Sequence, residues 1–458
     1  MNNICKIFIL LCFSNTIIFN QVSAQELNIE YSITFTQPQL RMSKRAFYND
    51  FDEAMRAAEY IDKLIIRGKN ISQIPDNIKY FKNLEFLDLS DNNISYLPEA
   101  ILQLPKLKYI VLSKNKFSTF PNQLLRMKSL VFINISDNNI KEVPNSIDNL
   151  RNLEGLILSS NKIKTLPNSF AKLYNLRELY LDNNYFSAFP TAILDLKKLE
   201  SLNLSNNRLS ALPNGINGIA RLEVLDLSNN KIKSLPSNFA NLRALRVLDL
   251  KNNLFSSLPN NFGNLFSLEY LSLSKNKITD LPASFAKLRN LQNLVMSSNG
   301  LNKIPEIIFS LNSLIALDIG FNNISNLSDN FPKLRYLQLL SLRNNRFKDF
   351  PMELLFLRNL QGLDFVKNQL SELPENIDYL YNLQKLKLDN NFIQDLPSSI
   401  GRLNQLSFIS LNYNRLKTLP NQMRFMKSLR LVNVRKNFIQ LEEMQRIRRM
   451  LQGVIINF

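Results

Sequence analysis

The chain has 458 residues and a net charge of +18, because 56 Lys and Arg residues outnumber 38 Asp and Glu residues. Apolar residues make up 45% of the chain, which is typical of a folded protein. The chain contains no His, and its two cysteines are Cys5 and Cys12, which excludes Ser-His-Asp and Cys-His catalysis and zinc sites built from these residues. A carboxylate pair or a Lys could still act, but most of the usual catalytic groups are missing, and we expect no enzyme activity, no metal and no cofactor.

Residues 1–24 have the pattern of a signal peptide. Apolar stretches at residues 7–13 and 17–19 are followed by Val22-Ser23-Ala24, which fits the small-x-small rule of signal peptidase. The pattern predicts cleavage after Ala24, so that Gln25 begins the mature chain. No later stretch approaches the ~20 apolar residues that a membrane span needs, so we expect no transmembrane segment in the mature protein.

The alternative is an uncleaved membrane anchor, which Ser14 and Asn15 disfavour because they interrupt the apolar region. Cleavage would remove Cys5 and Cys12, leaving an exported protein without a disulfide. We therefore expect an exported bacterial protein that is secreted, periplasmic or bound at the cell surface.

From Ile61 onward one 23-residue pattern occurs seventeen times, up to residue 439, and the last unit is partial. The pattern is LxxLxLxxNxIxxLPxxIxxLxx, as in LEVLDLSNNKIKSLPSNFANLRA at residues 222–244. We number its positions 1–23. The segment LxxLxL places alternate side chains on one face of a short strand, so the leucines at positions 1, 4 and 6 should lie in a core. Stacked units would form a parallel sheet with strands about 4.8 Å apart.

Two polar or turn-forming positions complete the pattern. Position 9 is Asn in sixteen units and Lys69 in the first, and stacked amides can satisfy backbone groups of neighbouring units because an amide both donates and accepts. Position 15 is Pro in all complete units but one, where Ser328 replaces it. Proline fits a chain reversal because its φ is fixed and no ladder N–H is needed there.

These residues resemble the leucine-rich repeat family. The 23-residue LPxxI form is most similar to the Ras-scaffold and scribble-type proteins of animals, the related plant proteins and many bacterial homologues. The resemblance covers about residues 45–458. It implies an α/β solenoid shaped as a horseshoe, with a parallel β-sheet on the concave face and short irregular or 3-10 segments on the convex face.

Both ends of the repeat are predicted to carry caps, since a solenoid must cover its exposed core. Residues 25–60 contain the strand-like segment LNIEYSITF and a helix beginning near Asn49 or Asp50, with Phe51, Met55 and Ala58 on one side. Residues 440–458 leave the repeat after Ile439. There we expect a helix with Met444, Ile447 and Leu451 on one face, followed by a last strand in VIINF.

Positions 2, 3, 5, 7 and 8 are free to carry function, because the fold does not fix them. Exposed aromatic residues on a rigid sheet are natural binding anchors, although high strand propensity also explains them. The successive units that carry Phe86, Tyr109 and Phe132 favour binding. The candidate partner-binding residues of the concave face are Phe86, Tyr109, Phe132, Tyr180, Tyr270, Phe321, Phe408 and Tyr413.

Charge is also sorted by position in the unit. Acidic residues occupy strand positions 2 and 5, as in Glu223 and Asp226, whereas basic residues border the strand at positions 10 and 22, as in Lys231 and Arg243. This arrangement is explained by solubility or by docking to an anionic surface such as lipopolysaccharide, a glycan or an acidic protein. Nucleic acid is not expected, because the basic stripes lack the interleaved aromatic residues that a nucleic-acid groove would have. The basic-edge candidates are Lys116, Lys162, Arg208, Lys231, Lys277, Arg346 and Arg415.

One unit, residues 314–336, departs from the pattern. Its turn proline is missing and Pro332 follows four residues later, while Gly320 and Phe321 lie beside its strand. Two explanations remain open at this point, which are drift at a tolerant convex position and a local bend that exposes Phe321.

The sequence therefore predicts a non-enzymatic binding scaffold that recognises a protein, or a glycan, through its concave face. One alternative is an intracellular signalling adaptor, as the resemblance to Ras-scaffold proteins implies. Another is a cell-surface adhesin that docks on anionic glycans.

Overall fold

The structure is a computed structural model, and it describes Tyr48 and residues 50–458. The predicted signal peptide, its cleavage site and the LNIEYSITF segment lie outside the described residues. The described part contains one sheet of eighteen strands. Each strand pairs in parallel with the next strand along the chain. The predicted parallel solenoid is thus confirmed.

The strands are three residues long, and the first seventeen recur once in each 23-residue unit. They lie at positions 3–5 of each unit, as in the register of Val224 with Val247 and of Asp226 with Asp249. The strands are β1 Lys63–Ile65, β2 Phe86–Asp88, β3 Tyr109–Val111, β4 Phe132–Asn134, β5 Gly155–Ile157, β6 Glu178–Tyr180, β7 Ser201–Asn203, β8 Val224–Asp226, β9 Val247–Asp249, β10 Tyr270–Ser272, β11 Asn293–Val295, β12 Ala316–Asp318, β13 Leu339–Ser341, β14 Gly362–Asp364, β15 Lys385–Lys387, β16 Phe408–Ser410, β17 Leu431–Asn433 and β18 Ile455–Asn457.

The opposite, convex side of each unit is a short 3-10 helix, as expected. These helices span Asp76–Tyr80, Glu99–Gln103, Leu124–Arg126, Asn145–Asn149, Asn168–Lys172, Thr191–Asp195, Asn214–Gly218, Ser237–Asn241, Phe262–Asn264, Ala283–Lys287, Glu306–Ser310, Phe331–Lys333, Met352–Phe356, Ile377–Tyr379, Ser398–Arg402 and Asn421–Phe425.

The core lies between the sheet and these helices and runs from Tyr48 to Leu451. In the unit at 222–244, Leu222, Leu225 and Leu227 point inward from the strand and are completely buried. Phe239 meets them from the helix side and is also completely buried. Every unit repeats this arrangement, so each one buries its apolar residues against both neighbours.

Proline begins the convex segment, as the sequence predicted. Pro236 has φ −66° and ψ 152°, and its carbonyl accepts a hydrogen bond from the Phe239 N–H at 2.9 Å. The proline thus supplies an extended residue followed by a tight turn.

The chain leaves each strand through a left-handed residue at position 8. Gly68 has φ 68° in the first unit, and the sixteen later units have non-glycine residues with φ between 51° and 58°. Most of these are Asn, Asp, Ser or Lys, but Phe321 and Tyr413 also occupy this conformation. It is strained for bulky side chains, and the repeat consensus did not reveal it.

The asparagine at position 9 satisfies the backbone of this turn, as predicted. The Asn230 amide nitrogen donates to the Leu204 carbonyl at 2.9 Å and to the Leu227 carbonyl at 3.0 Å. Its oxygen accepts from the Leu209 N–H at 2.9 Å. Since Leu204 and Leu209 belong to the preceding unit, each asparagine joins two units, and the series forms a continuous ladder.

A short helix lies at each end of the described repeats. α1 spans Phe51–Met55, and its N-cap Asp50 accepts a hydrogen bond from the Glu53 N–H at 2.7 Å, so the expected helix start is confirmed. α2 spans Leu441–Met450 and buries Ile447. Strand β18 follows and pairs with β17, which confirms the helix and strand expected there.

The irregular unit keeps the geometry of its neighbours. The Ser328 carbonyl accepts from the Phe331 N–H at 2.8 Å, which is the bond that proline carbonyls accept in other units. Strand β12 stays in register with β11 and β13. Phe321 is therefore exposed because position 8 lies at the strand exit, and the bend considered for this unit is absent.

The asparagine ladder predicts that two adjacent asparagines differ greatly in their contribution to the free energy of unfolding. Asn138→Ala removes the acceptor of the Phe117 N–H and a donor to the Leu112 carbonyl, and both are buried backbone groups. We expect the free energy of unfolding to fall by about 2 kcal/mol or more. Asn139→Ala is the matched control because its side chain is exposed. Equal stabilities of the two variants in urea unfolding would contradict the role of the ladder.

Candidate functional site

The concave face consists of the side chains at positions 2, 3, 5 and 7 of seventeen successive units. In β8, Val224 and Asp226 point away from the core while Leu225 between them is buried in it. At the usual strand spacing the face is about 77 Å long. Its candidate anchors differ in their surroundings.

Phe86, Tyr109 and Phe132 lie side by side, because they are paired residues of β2, β3 and β4. Phe86 and Tyr109 are half-buried, as is Phe408 near the far end of the sheet. These three keep an accessible ring surface within the concavity.

Three other candidates are not exposed, contrary to our expectation. Phe132 is 5%, Tyr180 3% and Tyr270 4% exposed. The concave curvature crowds side chains of neighbouring strands against each other. At Gly155, for instance, an added Cβ would lie 2.6 Å from a ring carbon of Phe132, so the ring covers the next strand. These residues build the floor of the face.

Phe321 and Tyr413 are exposed by 44% and 56%, but they lie at the end of the strands. Both occupy position 8, where the left-handed backbone turns the chain away from the sheet. They therefore belong to the border of the concave face, together with the basic residues of that edge.

An apolar patch, whose main members are only 2–4% exposed, forms the floor at the centre of the concave face. Val224, Val247, Tyr270 and Ala316 from position 3 pack together with Val295, and Leu339 lies against them. This cluster is separate from the main core, on the opposite face of the sheet. The sequence reasoning missed it because it searched position 3 for aromatic residues alone.

Carboxylates at position 5 accept hydrogen bonds from backbone N–H groups where the strands end. The Asp226 side chain accepts from the Ser228 N–H at 2.8 Å, and the Asp249 side chain accepts from the Lys251 N–H at 2.7 Å. Asp318 and Asp364 form the same contact two residues onward. Position 5 was expected to be free, but these residues take part in the fold.

These carboxylates titrate above their ordinary range. Burial raises the pKa of Asp318 and of Asp364. Burial and the adjacent Asp226 carboxylate raise the pKa of Asp249 to about 7. The two carboxylates lie on paired strand residues, so ionisation of both is unfavourable.

Position 2 carries ion pairs between neighbouring strands. Arg177 contacts Glu200 at 2.7 Å, and Arg246 contacts Glu269 at 2.9 Å. Lys108 contacts Glu85 at 3.2 Å. The acidic band predicted here is therefore partly neutralised by basic residues of the same row.

All seven predicted basic residues at position 10 are exposed. They lie where the strands end, whereas the basic residues at position 22 lie where the strands begin. Arg208 stacks on Tyr185 at 4.8 Å and Arg415 stacks on Phe392 at 4.6 Å from the ring centres. Some aromatic residues therefore do lie among these cations, contrary to our expectation, and the absence of a nucleic-acid partner stays a prediction.

The described residues also bear on metal binding and on membrane crossing. Among the described residues, no group of three or more Cys, Asp or Glu side chains could hold a metal ion. Within the same part of the chain, no helix has the length and apolar character needed to cross a membrane.

A solenoid of short parallel strands, asparagine ladders and 3-10 turns defines a leucine-rich repeat protein. The family described as leucine-rich repeat region matches residues 123–206, 191–269 and 241–366, and that described as leucine rich repeat matches residues 59–117 and 82–140. The chain belongs to the leucine-rich repeat family. Neither matching description names a catalytic domain.

Solved structures agree with this assignment. A leucine-rich repeat protein of Leptospira interrogans is 31% identical, with a TM-score of 0.77 over 90% of this chain and 100% of that chain. The plant peptide hormone receptor RGFR1, solved in complex with RGF2, is 28% identical, with a TM-score of 0.63 over 82% of this chain and 66% of that chain. TLR13, solved in a complex with ssRNA13, is 26% identical, with a TM-score of 0.68 over 84% of this chain and 62% of that chain. No curated protein matches the chain.

The pair of carboxylates at Asp226 and Asp249 predicts that replacing one of them raises the stability of the protein, and that this gain depends on pH. Asp249→Asn keeps an acceptor for the Lys251 N–H, as Asn203 does for the Ser205 N–H at 2.9 Å. The folded protein binds this proton more tightly than the unfolded chain, so ionisation of Asp249 destabilises the fold at high pH. We expect the variant to melt higher than the native protein at pH 8, with a gain that shrinks as the pH falls towards 4.

Asp280→Asn is the control, because Asp280 is exposed. A gain for Asp249→Asn that does not change with pH would contradict the assigned pKa.

Proposed function

We propose that this protein is an exported, non-enzymatic scaffold that binds a protein partner on its concave face. The proposal includes cleavage after Ala24 and assigns residues 25–60 and 440–458 as the caps of the seventeen repeat units. The concave face is the partner surface, with Phe86, Tyr109 and Phe408 as accessible aromatic anchors.

The observation that carries the proposal is the pair of half-buried rings of Phe86 and Tyr109, which are paired residues of β2 and β3. They lie on the outer face of the sheet and take no part in the solenoid core. Accessible aromatic residues on a rigid sheet are typical anchors of protein interfaces. The face is also rigid, because every strand is hydrogen-bonded on both sides except the terminal ones.

Charge favours a protein or peptide over a polyanion on this face. Asp226, Asp249 and Asp318 line the patch on one side, and Glu223 and Glu269 line it on the other. These carboxylates offer no attraction to a nucleic acid or an anionic glycan, although burial and the ion pairs of Arg246 with Glu223 and Glu269 weaken their negative charge. The structure of RGFR1 with RGF2 shows that a related solenoid can serve a peptide hormone receptor, which supports the same class of partner here.

Two alternatives concern other surfaces or compartments. Docking on anionic glycans would use the basic edges, where Lys116, Lys162 and Arg208 are exposed. An intracellular adaptor would keep residues 1–24, which mass spectrometry of the N-terminus of protein from its native cell would detect. Docking on the basic edges does not account for the accessible rings of Phe86 and Tyr109 on the concave face.

The test uses the mature protein to capture partners from the native cell envelope by crosslinking. The affinity of the captured protein is then measured for a Phe86→Ala/Tyr109→Ala variant. These rings are accessible and lie outside the main core, so we expect affinity to fall at least tenfold with little change in melting temperature. Phe132 is left intact because it is buried against Gly155.

Tyr80→Ala is the matched control, since Tyr80 is 53% exposed on the convex side. It should leave affinity unchanged. Equal affinities for the native protein and the Phe86→Ala/Tyr109→Ala variant would remove this end of the concave face from the binding site.

A further inference from the structure

The edge at which strands β12–β17 end carries a concentrated positive charge. We define the exit edge as positions 7–12 of these six units, residues 320–325, 343–348, 366–371, 389–394, 412–417 and 435–440. It contains one carboxylate, Asp389, which already accepts from the Ser410 hydroxyl at 2.6 Å and the Asn412 N–H at 3.0 Å. Its eight cations are Arg343, Arg346, Lys348, Lys367, Arg415, Lys417, Arg435 and Lys436.

Four aromatic residues are exposed on the same edge. Phe321 and Phe392 are 44% and 43% exposed, and Tyr413 and Phe438 are 56% and 60% exposed. Phe392, Arg415 and Phe438 occupy the same position of three successive units, so apolar and charged groups alternate from strand to strand.

Arginines cover part of this aromatic surface. The Arg343 guanidinium lies 5.1 Å from the centre of the Phe321 ring, and that of Arg415 lies 4.6 Å from the centre of the Phe392 ring. One face of each ring is thereby covered, while 44% of Phe321 and 43% of Phe392 stay exposed to solvent. This arrangement favours insertion of the ring edge over stacking of a nucleic-acid base on the ring face.

The fold does not require these aromatic residues. Phe321 and Tyr413 occupy the left-handed position 8 with φ 52° and 56°, where the remaining units have Gly, Asn, Asp, Ser or Lys. Position 10 is equally tolerant, since it holds Asn139, Lys162 and Gly300 in other units. The rings are thus features of this chain that its repeat pattern does not explain.

We propose that the exit edge docks on an anionic phospholipid surface. The Lys and Arg side chains contact lipid phosphates, and the phenyl rings of Phe392 and Phe438 enter the boundary between headgroups and acyl chains. Cations that alternate with apolar rings are typical of surfaces that lie on membranes. Six strands give the edge a length of about 24 Å, which suits contact with a plane. The concave face stays accessible, so this site is separate from the proposed partner surface.

The test is flotation of the mature chain with vesicles of phosphatidylcholine alone or mixed with phosphatidylglycerol. We expect binding to the mixed vesicles only, and weaker binding as salt is raised. Phe392→Ala/Phe438→Ala and Arg415→Gln/Lys436→Gln should each reduce the fraction bound at least fivefold. Unchanged melting temperatures would show that the variants are folded.

Two controls distinguish binding at this site from nonspecific binding to vesicles. Phe356→Ala/Phe425→Ala removes two rings that are 69% and 57% exposed on the convex helices, and it should bind as the native protein does. Lys116→Gln/Lys162→Gln removes two cations from position 10 outside the exit edge, and it should reduce binding much less than Arg415→Gln/Lys436→Gln.

Three outcomes would overturn the proposal. The first is no binding to the mixed vesicles at low salt. The second is full binding by Phe392→Ala/Phe438→Ala with loss in Arg415→Gln/Lys436→Gln, which would indicate a purely ionic site for a polyanion such as a glycan. The third is preferential binding of a single-stranded oligonucleotide that the phenylalanine variant loses.

Discussion

The structure depends on hydrogen bonds that satisfy the backbone groups where each strand ends. There the chain turns through a left-handed residue, and the carbonyl and N–H groups around the turn are buried. One asparagine per unit satisfies them, as Asn230 does by contacting Leu204, Leu209 and Leu227. Because an unpaired buried group costs about 1–3 kcal/mol, this requirement fixes the asparagine at position 9. The sheet, the core and the convex turns all follow from stacking such units.

The fold could be predicted from the sequence because its causes are local and repeated. The spacing of Leu222, Leu225 and Leu227, the amide of Asn230 and the turn at Pro236 each have one physical reason, and seventeen units repeat it. The caps were also predictable, since Asp50 is a typical N-cap and Ile447 lies on one face of a helix. The left-handed position 8 was not predictable, because no single residue type marks it.

The concave face was harder to predict, because it depends on curvature and on contacts between units. Tyr180 and Tyr270 alternate outward like exposed residues, yet neighbouring strands bury them. Asp226 reads as a free acidic residue, yet it caps its own strand end. The stacking of Arg415 on Phe392 joins residues one repeat unit apart in the chain, so it becomes visible only when equivalent positions are compared across units.

The residues of each unit fall into two sets, one that builds the solenoid and one that is free to bind. Positions 1, 4, 6, 9, 11, 14, 15, 18 and 21 build the solenoid. In the proposed function, concave positions such as those of Phe86 and Tyr109 distinguish one partner from another, and the exit edge near Phe392 and Phe438 is proposed as a second surface that contacts lipid. A rigid scaffold of this kind can vary the second set of residues without loss of the fold.

The most direct test is a saturation mutagenesis scan that measures folded abundance and binding of the captured partner separately for every substitution. The account predicts that substitutions which reduce abundance cluster at the solenoid-building positions. Those that reduce binding alone should cluster at concave positions 2 and 3. The account would be contradicted if the substitutions that reduce binding alone clustered on the convex helices, around residues such as Tyr80 and Phe356.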